Sequence, residues 1–263
     1  MNTVTTTSPA RTLVIGDVHG CVEEFNELLA TLAPVAGHDT VVLCGDLVDK
    51  GPHSAQVVAR ARALRESGVN TVLVMGNHEE KHTRFRARLA KGEDTSALKG
   101  HEEMASITAG LSPEDTAFLD TAVLFHRLPE HGVTVVHAGI PLGLASLPED
   151  TSTLSRKERD RLALVCRVRF VRPSTGGMVP LGQERDGDEF WAVSHDGRFG
   201  HVLFGHEPFM GEHDGRFPHA TGLDHGCVFG GRLTAAVLVE GRDMEFVSVP
   251  ARAVHAAHLH AES

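Results

Sequence analysis

The segment TLVIGDVHG at residues 12–20 is followed along the chain by TVVLCGDLVDKGP at 40–52 and by NTVLVMGNHE at 70–79. Each segment begins with a short run of apolar, mostly β-branched residues and then passes through a glycine into polar side chains. Runs of this kind are typical of buried strands. Two later segments, VTVVHAG at 133–139 and HVLFGH at 201–206, have the same form. The five segments therefore predict sheets whose strands end in polar, glycine-containing loops.

Helical patterns separate the first three strands. The apolar residues of the stretches 22–32 and 57–64 recur at the spacing that places one stripe of side chains against a core. The chain therefore begins β-α-β-α-β. In SPEDTAFLDTA, Ser112 can cap a helix, Pro113 can occupy its first position, and Asp115 completes the capping pattern. We therefore predict a helical insertion over residues 80–121.

Strands dominate the second half of the chain, where TAAVLVE and MEFVSV predict a terminal hairpin. The stretch 173–189 is rich in Gly and Pro and is predicted to be a flexible loop near the functional site or a hinge. Neither an internal repeat nor a domain linker is visible. The economical interpretation is one α/β domain over residues 1–263, with stacked sheets flanked by helices.

Composition excludes several classes of protein. The formal net charge of −10 disfavours duplex nucleic acid as a partner, because that partner normally requires a basic face. The four cysteines form no CxxC pair, which argues against a zinc ribbon or a disulfide framework and favours reduced thiols in the cytoplasm. The first residues lack the pattern of an export signal, and no apolar run is long enough for a membrane helix. We expect a cytoplasmic protein without a membrane partner.

Polar side chains follow directly on the predicted strands. They are Asp17, His19, Asp46, Asp49, Asn77, His78, His137 and His206. Strand ends of this kind meet at one edge of an α/β sheet, which is where such folds bind ligands. So many carboxylate, amide and imidazole groups would be costly together unless cations neutralised and coordinated them. The sequence predicts two divalent metal ions, and its oxygen and nitrogen ligands suit manganese, iron, nickel or zinc.

Each motif by itself is weak evidence for this site. GDVHG could be a strand that ends in a turn, with Asp17 accepting backbone amides, and GNHE could cap a helix. The ordered set is much stronger, because its members are separated by the length of one strand–helix unit.

Together, the motifs GDVHG, GDLVDKGP, GNHE, HAG and GH resemble, in this order, the calcineurin-like metallophosphoesterases of the phosphoprotein phosphatase type. The resemblance covers nearly the whole chain. It implies a two-sheet β-sandwich flanked by helices, with the metal site at the carboxyl edge of the strands. It also implies that Asp17, His19 and His206 hold one metal and that Asn77 and His137 hold the other. Asp46 would bridge the two ions.

The later segments resemble a narrower group. AFLDTAVLFH, VVHAGI and DHGCVFGGRLTA are similar to bacterial symmetrical dinucleoside tetraphosphatases and to the phosphatase module of bacterial polynucleotide kinase-phosphatase. The chain departs from the family pattern in four places: Lys50 replaces Arg, HAG replaces HGG, GHEPF replaces GHTPV, and His225 replaces Thr. Lys50 matters most, because arginine clamps phosphate with two parallel hydrogen bonds whereas lysine offers a point charge.

The resemblance implies hydrolysis by direct in-line attack of a hydroxide that bridges the metals, without a covalent phosphoenzyme. His78 is the expected general acid for the leaving oxygen, and Asp49 would orient it. Lys50 would contact the phosphate. Two further arginines, Arg169 and Arg172, lead into the Gly-rich stretch and are weaker candidates for the same contact.

The substrate stays open between a phosphoprotein and a dinucleoside polyphosphate. A chain with one Trp and no Tyr offers few aromatic platforms for a base, so a base pocket would depend on side chains such as Phe209 or His225. Two alternatives come from other functional classes. A binding protein that has lost its metals is disfavoured by the complete ligand set, and a bimetal nuclease is disfavoured by the acidic composition.

Overall fold

The computed structural model describes residues 9–148 and 150–257, and the first eight residues, which entered the expectation of no export signal, lie outside this range. The helices are α1 (Val22–Leu32), α2 (Ser54–Glu66), α3 (Asn77–Ala90), α4 (His101–Gly110), α5 (Pro113–Leu119) and α6 (Arg156–Leu162). The strands of the first half are β1 (Arg11–Ile15), β2 (Thr40–Leu43), β3 (Asn70–Leu73), β4 (Phe125–Leu128) and β5 (Val133–Val136). Those of the second half are β6 (Phe170–Arg172), β7 (Gly177–Val179), β8 (Glu189–Phe190), β9 (His201–Phe204), β10 (Arg216–Phe217), β11 (Ala220–Gly222), β12 (Asp224–His225), β13 (Arg232–Val239) and β14 (Glu245–Pro250). Short 3₁₀ turns span Pro129–His131 and Ala163–Cys166.

The first sheet has the order β12-β13-β1-β2-β3, with β14 paired to β13. Strands β1, β2 and β3 are parallel, and β13 and β14 form the antiparallel hairpin predicted at the end of the chain. The second sheet has the order β10-β11-β9-β5-β4, in which β5, β9 and β11 are parallel. The strands that precede the polar motifs are therefore parallel within their sheets: β1, β2 and β3 in the first sheet, and β5 and β9 in the second.

The two sheets pack face to face, and the alternation of side chains along β1 shows how. Leu13 and Ile15 lie in a core shared with α1 and α2, whereas Val14 lies in a second core with Val135 and Leu203 of the other sheet. Successive residues of a strand point to opposite faces, so one strand serves both layers. The predicted α/β sandwich with helices on its outer face is confirmed.

The stripe predicted for α1 is buried as expected. Its members, Val22, Phe25, Leu28, Leu29 and Leu32, are all in the core. The predicted cap of α5 is also present, because Ser112 Oγ accepts a hydrogen bond from the amide of Asp115 at 3.0 Å. The stretch 80–121 contains most of α3 together with α4 and α5.

The stretch 173–189 contains an ordered strand, β7, which pairs with β6. Strand β8 begins at its last residue, and together β7, β6 and β8 form a small third sheet. The sequence did not predict this sheet, because strands of two or three residues beside glycines are too short to show periodicity. No helix among the described residues is long and apolar enough to cross a membrane.

Candidate metal centre and active site

Site residues from the two sheets meet at the carboxyl ends of five strands. Asp17 follows β1, Asp46 follows β2, and Asn77 begins α3 just beyond β3. From the second sheet, His137 follows β5 and His206 follows β9. The amide of His206 donates to the Asp17 carboxylate at 3.0 Å, and Nε2 of His137 lies 3.0 Å from Oδ1 of Asn77. The edge predicted from the sequence thus brings together residues almost two hundred positions apart.

Unusual backbone conformations concentrate at this edge. Among the described residues, six that are not glycine have a positive φ, and five of them belong to the predicted site: His19, Asp46, Asp49, Lys50 and His206. Such conformations cost free energy and persist where the surrounding structure enforces them, which happens most often at functional sites. This observation is independent of the motifs themselves.

Two histidine rings are oriented by backbone carbonyls. Nδ1 of His19 donates to the carbonyl of Val48 at 2.9 Å, and Nδ1 of His137 donates to the carbonyl of Cys44 at 2.8 Å. Both rings therefore direct Nε2 towards Asp46, at 3.4 Å in each case. Metal-binding histidines are held in this way, with the second ring nitrogen bonded to the protein.

Three carboxylates are buried together at the site. Burial and the nearby charge of Asp224 raise the pKa of Asp17 well above its usual value. Burial would also raise the pKa of Asp46, but the charges of His137 and His78 outweigh it and hold that pKa low. Asp224 was not predicted as a site residue, although it stands in the DHGC motif, which was noted only for its family resemblance.

Cationic groups of the protein balance this negative charge. Burial lowers the pKa of His137, but the carboxylates of Asp46 and Asp17 overcome that effect and raise it to about 9. The ammonium of Lys50 lies 2.7 Å from Nε2 of His19, so a positive group already stands against that ring nitrogen. Buried carboxylates need such partners. The cluster is therefore built to hold positive charge.

The donor atoms also fit metal ions. At this edge of the sheets, two groups of side chains place their ligand atoms within 4.8 Å of one another: His19, Asp46 and His78, and Asp46, His137 and His206. The two groups share Asp46, the residue predicted to bridge the ions. They differ from the predicted division of ligands, since His206 lies with His137 and His78 lies with His19. Oxygen and imidazole donors suit divalent transition metals.

A second cluster surrounds Asp49. Nδ1 of His78 donates to one carboxylate oxygen at 2.5 Å, and Nε2 of His82 donates to the other at 2.7 Å. Lys81 forms an ion pair with the same carboxylate. Burial would raise the pKa of Asp49, but the hydrogen bonds from His78 and His82 hold it well below its usual value. His78 is thereby fixed by a charged partner.

His82 and Lys81 were missed by the sequence analysis. Lys81 lies three residues and His82 four residues after His78 on α3, so the helix brings all three side chains to one face. That spacing was visible in GNHEEKH. Glu79 was also missed, and its buried carboxylate accepts the amides of Asp46 at 2.7 Å, Leu47 at 2.8 Å and Gly76 at 3.1 Å.

The site opens into a cavity of about 370 Å³. Its lining residues are Asp46, Lys50, Asn77, His78, Arg169, Leu181, His206, Glu207, Pro208, Phe229, Ala256 and Ala257. Arg169 thus borders the cavity, where it also donates to the carbonyl of His206 at 2.6 Å and pairs with Glu207. The other arginine, Arg172, is engaged by Asp188 at 2.6 and 2.7 Å and is not among these lining residues.

The two side chains suggested for a base pocket lie elsewhere. Phe209 packs in an aromatic cluster with Phe204 and Phe217, and His225 is buried in β12. The phenyl ring that borders the cavity belongs to Phe229 of the GCVFGG segment.

Sequence comparison finds that residues 10–210 match the family described as calcineurin-like phosphoesterase. A bis(5′-nucleosyl)-tetraphosphatase PrpE [asymmetrical] of Halalkalibacterium halodurans is 30% identical over 255 residues, which cover 91% of this chain and 93% of the relative. The enzyme of the same name from Bacillus subtilis is 28% identical, with coverage of 90% and 93%. Both names specify asymmetrical cleavage, whereas the resemblance noted in the sequence was to the symmetrical enzymes.

Structural comparison gives a similar result. A crystal structure of a candidate diadenosine tetraphosphatase superposes with a TM-score of 0.66 at 27% identity, covering 93% of this chain and 98% of the other. A protein serine/threonine phosphatase from Saccharomyces cerevisiae superposes with a TM-score of 0.58 at 16% identity, with coverage of 93% and 81%. The second likeness shows a shared fold alone.

Proposed function

The chain belongs to the calcineurin-like phosphoesterases, and on that premise we propose that it hydrolyses dinucleoside tetraphosphates asymmetrically, into a nucleoside monophosphate and a nucleoside triphosphate. It is a metal-dependent hydrolase of phosphate ester or anhydride bonds. The observation that supports the narrower substrate is the pair of tetraphosphatase relatives that match it over about nine-tenths of their length and of this chain.

Two divalent ions, when bound, would activate a water for attack on phosphorus and neutralise the phosphoryl oxygens. We propose manganese for both, with iron, nickel and zinc suited to the same donors. The proposed ligands are Asp17, His19, Asp46, Asn77, His137 and His206. Their support is the convergence of these side chains at one buried edge and the orientation of the Nε2 atoms of His19 and His137 towards Asp46.

His78 is proposed to protonate the leaving oxygen as the bond between phosphorus and that oxygen breaks. Its ring lies at the cavity, and its Nδ1 is held by Asp49, so Nε2 is the nitrogen available to face the substrate. The Asp49 carboxylate also fixes the orientation of the ring. Lys50 borders the same cavity and is proposed to bind a phosphate oxygen as a point charge.

Other assignments have less support. A binding protein without metals would have no use for a buried carboxylate cluster or for the hydrogen-bonded His78 and Asp49. A nuclease would need a basic groove, whereas this chain carries a formal net charge of −10. We propose that the enzyme acts in the cytoplasm, since its four cysteines are buried and unpaired.

Product analysis with and without metal tests this proposal. With manganese, diadenosine tetraphosphate should give AMP and ATP in equal amounts, and a chelator should abolish the reaction until metal is restored. Two molecules of ADP would contradict the asymmetrical assignment. Undiminished hydrolysis by protein that holds no metal after attempted reconstitution would contradict the metal site itself.

A further inference from the structure

Five apolar residues that line the cavity have no part in the mechanism above, and we call them the apolar wall. They are Leu181, Pro208, Phe229, Ala256 and Ala257, from four separate segments of the chain. The same cavity is lined by three of the predicted ligands, Asp46, Asn77 and His206, and by the cations Lys50 and Arg169. Its lining therefore combines charged and apolar groups.

Lys50 contacts both the ligand cluster and the apolar wall. Its ammonium lies 2.7 Å from Nε2 of His19 and 5.2 Å from the centre of the Phe229 ring. One ammonium group thus separates the metal-ligand cluster from the apolar wall. A molecule with a phosphate at the cluster would place the group attached to that phosphate against the wall.

The end of the described chain completes the wall. Residues 228–229 pair with the segment 254–256, because the carbonyl of Val228 accepts the amides of His255 at 2.9 Å and Ala256 at 3.2 Å. This pairing brings Ala256 and Ala257 to the cavity beside Phe229. Leu181, which belongs to the stretch 173–189, also lines the cavity and is 40% exposed.

We propose that this apolar wall is the nucleoside subsite and that the base packs against Phe229. The inference rests on the proposed function, because it requires a substrate that joins phosphate to a flat apolar group. The cavity of about 370 Å³ is within the size range of small-molecule sites. Every base has an aromatic face and packs favourably on an aromatic side chain, which suits an enzyme that accepts several nucleotides.

The short distance between the apolar wall and the metal-ligand cluster also explains the proposed products. A base against Phe229 places the phosphorus of its own nucleotide at the cluster. Water adds to that phosphorus and releases a proton to the solvent, and the bond to the oxygen of the next phosphate breaks. That oxygen leaves with a proton from His78, so the products are a nucleoside monophosphate and a nucleoside triphosphate.

Binding of AMP and ribose 5-phosphate to the manganese-loaded protein tests the subsite, because the two molecules differ only in the base. Calorimetric titration should show AMP binding at least about tenfold more tightly, equal to 1.4 kcal/mol. Phe229→Ala should bring the two affinities to within about twofold while leaving that of ribose 5-phosphate unchanged. Equal affinities in the unaltered protein would overturn the proposal, as would an unchanged ratio in the variant.

Leu181→Ala provides a second variant in case Phe229→Ala does not fold, since Leu181 is exposed in a surface segment. It should reduce the preference for AMP about threefold. Leu89→Ala is the matched control, because Leu89 is 44% exposed and lies roughly 16 Å along α3 from His78. The control should keep the full preference, and equal effects of the two leucine variants would contradict the subsite.

The binding result can be separated from the proposed function. Protein that hydrolyses diadenosine tetraphosphate but binds AMP and ribose 5-phosphate equally would contradict the subsite alone. Protein that prefers AMP but does not hydrolyse the tetraphosphate would contradict the proposed function alone. A phosphoserine peptide that binds more tightly than AMP, and loses that affinity in Phe229→Ala, would assign the wall to a peptide instead.

Discussion

Asp49 connects the proposed acid to the rest of the protein. It is buried, has a positive φ, and accepts hydrogen bonds from His78 and His82 on separate oxygens. An imidazole held on one nitrogen by a carboxylate has a fixed orientation. The further bond from His82 fixes the carboxylate in turn. We therefore expect the function of His78 to depend on geometry set by α3.

The role of His78 can be read from how its removal affects different leaving groups. His78→Ala should lower kcat for alkyl phosphates by a factor on the order of 10²–10⁴, because a poor leaving oxygen needs a proton. Aryl phosphates should lose much less. Steady-state kinetics on matched alkyl and aryl substrates provide the measurement. Equal losses on both kinds of substrate would remove His78 from the acid role and indicate a defect in metal binding.

At the scale of elements, the start of α3 supports the loop that carries Asp46. The carboxylate of Glu79 accepts amides from both sides of the site, those of Asp46 and Leu47 after β2 and that of Gly76 before α3. Glu79 is only 1% exposed, so these bonds are not replaced by water when the side chain is removed. Asp46 itself has a positive φ, so these bonds hold the backbone at a strained position.

Removal of that support should weaken metal binding. Groups that orient metal ligands typically contribute 10–100-fold to metal affinity, and we expect Glu79→Ala to weaken manganese binding by about that factor. Calorimetric titration with manganese measures the effect. Glu66→Ala is a suitable control, because Glu66 is exposed on α2 and pairs with Arg62. Manganese affinity that is the same in both variants would show that Glu79 has no part in the site.

Asp39 joins β2 to the start of β1 and gives a prediction about pH. Its carboxylate accepts the amides of Arg11 at 3.1 Å and Val35 at 3.0 Å, and it pairs with the Arg11 guanidinium. Burial would raise the pKa of Asp39, but these hydrogen bonds lower it. Since the pKa is lower in the folded state than in the unfolded state, the stabilisation is complete above the unfolded pKa and is lost as the pH falls through the folded one.

Asp39→Asn should therefore lower the free energy of unfolding by about 1–3 kcal/mol at pH 7. The difference from the unaltered protein should shrink below about pH 4. Urea titrations across this range provide the test. Asp196→Asn is the control, because Asp196 pairs with Arg198 on the surface with half of its side chain exposed, and it should have little effect. A difference that is constant with pH would contradict the role of the Asp39 charge.

The elements that could be predicted from the sequence are those with a clear period or a clear cap. The strands before the five polar motifs, the stripe of α1 and the cap of α5 all depend on residues close together in the chain. The pairing of β6, β7 and β8 depends on contacts between short, irregular segments, so local patterns did not reveal it.

At the scale of the whole molecule, the site exists because two sheets end at one edge. Ligand candidates could be predicted because each directly follows a strand. Asp224 and Phe229 could not, since their roles arise from contacts of β12 and the chain end that only the packed fold creates. The base pocket was sought at Phe209, which the fold places in an aromatic cluster instead.

The proposed nucleoside subsite makes a specific demand on the substrate. A phosphate must be joined closely to an apolar group, and the proposed dinucleoside tetraphosphate satisfies this requirement at either end. A phosphopeptide would present its phosphate on a short side chain beside a polar backbone. The two classes of substrate therefore differ in how they meet the wall, although the metal site would treat both alike.

The central claim is tested most directly by comparing catalytic efficiency on these two classes under one manganese concentration. The value of kcat/KM for diadenosine tetraphosphate should exceed that for a phosphoserine or phosphothreonine peptide by a factor of about a hundred, or some 2.7 kcal/mol in transition-state binding. If the phosphopeptide is instead preferred by the same factor, the tetraphosphatase account is wrong and the chain is a protein phosphatase.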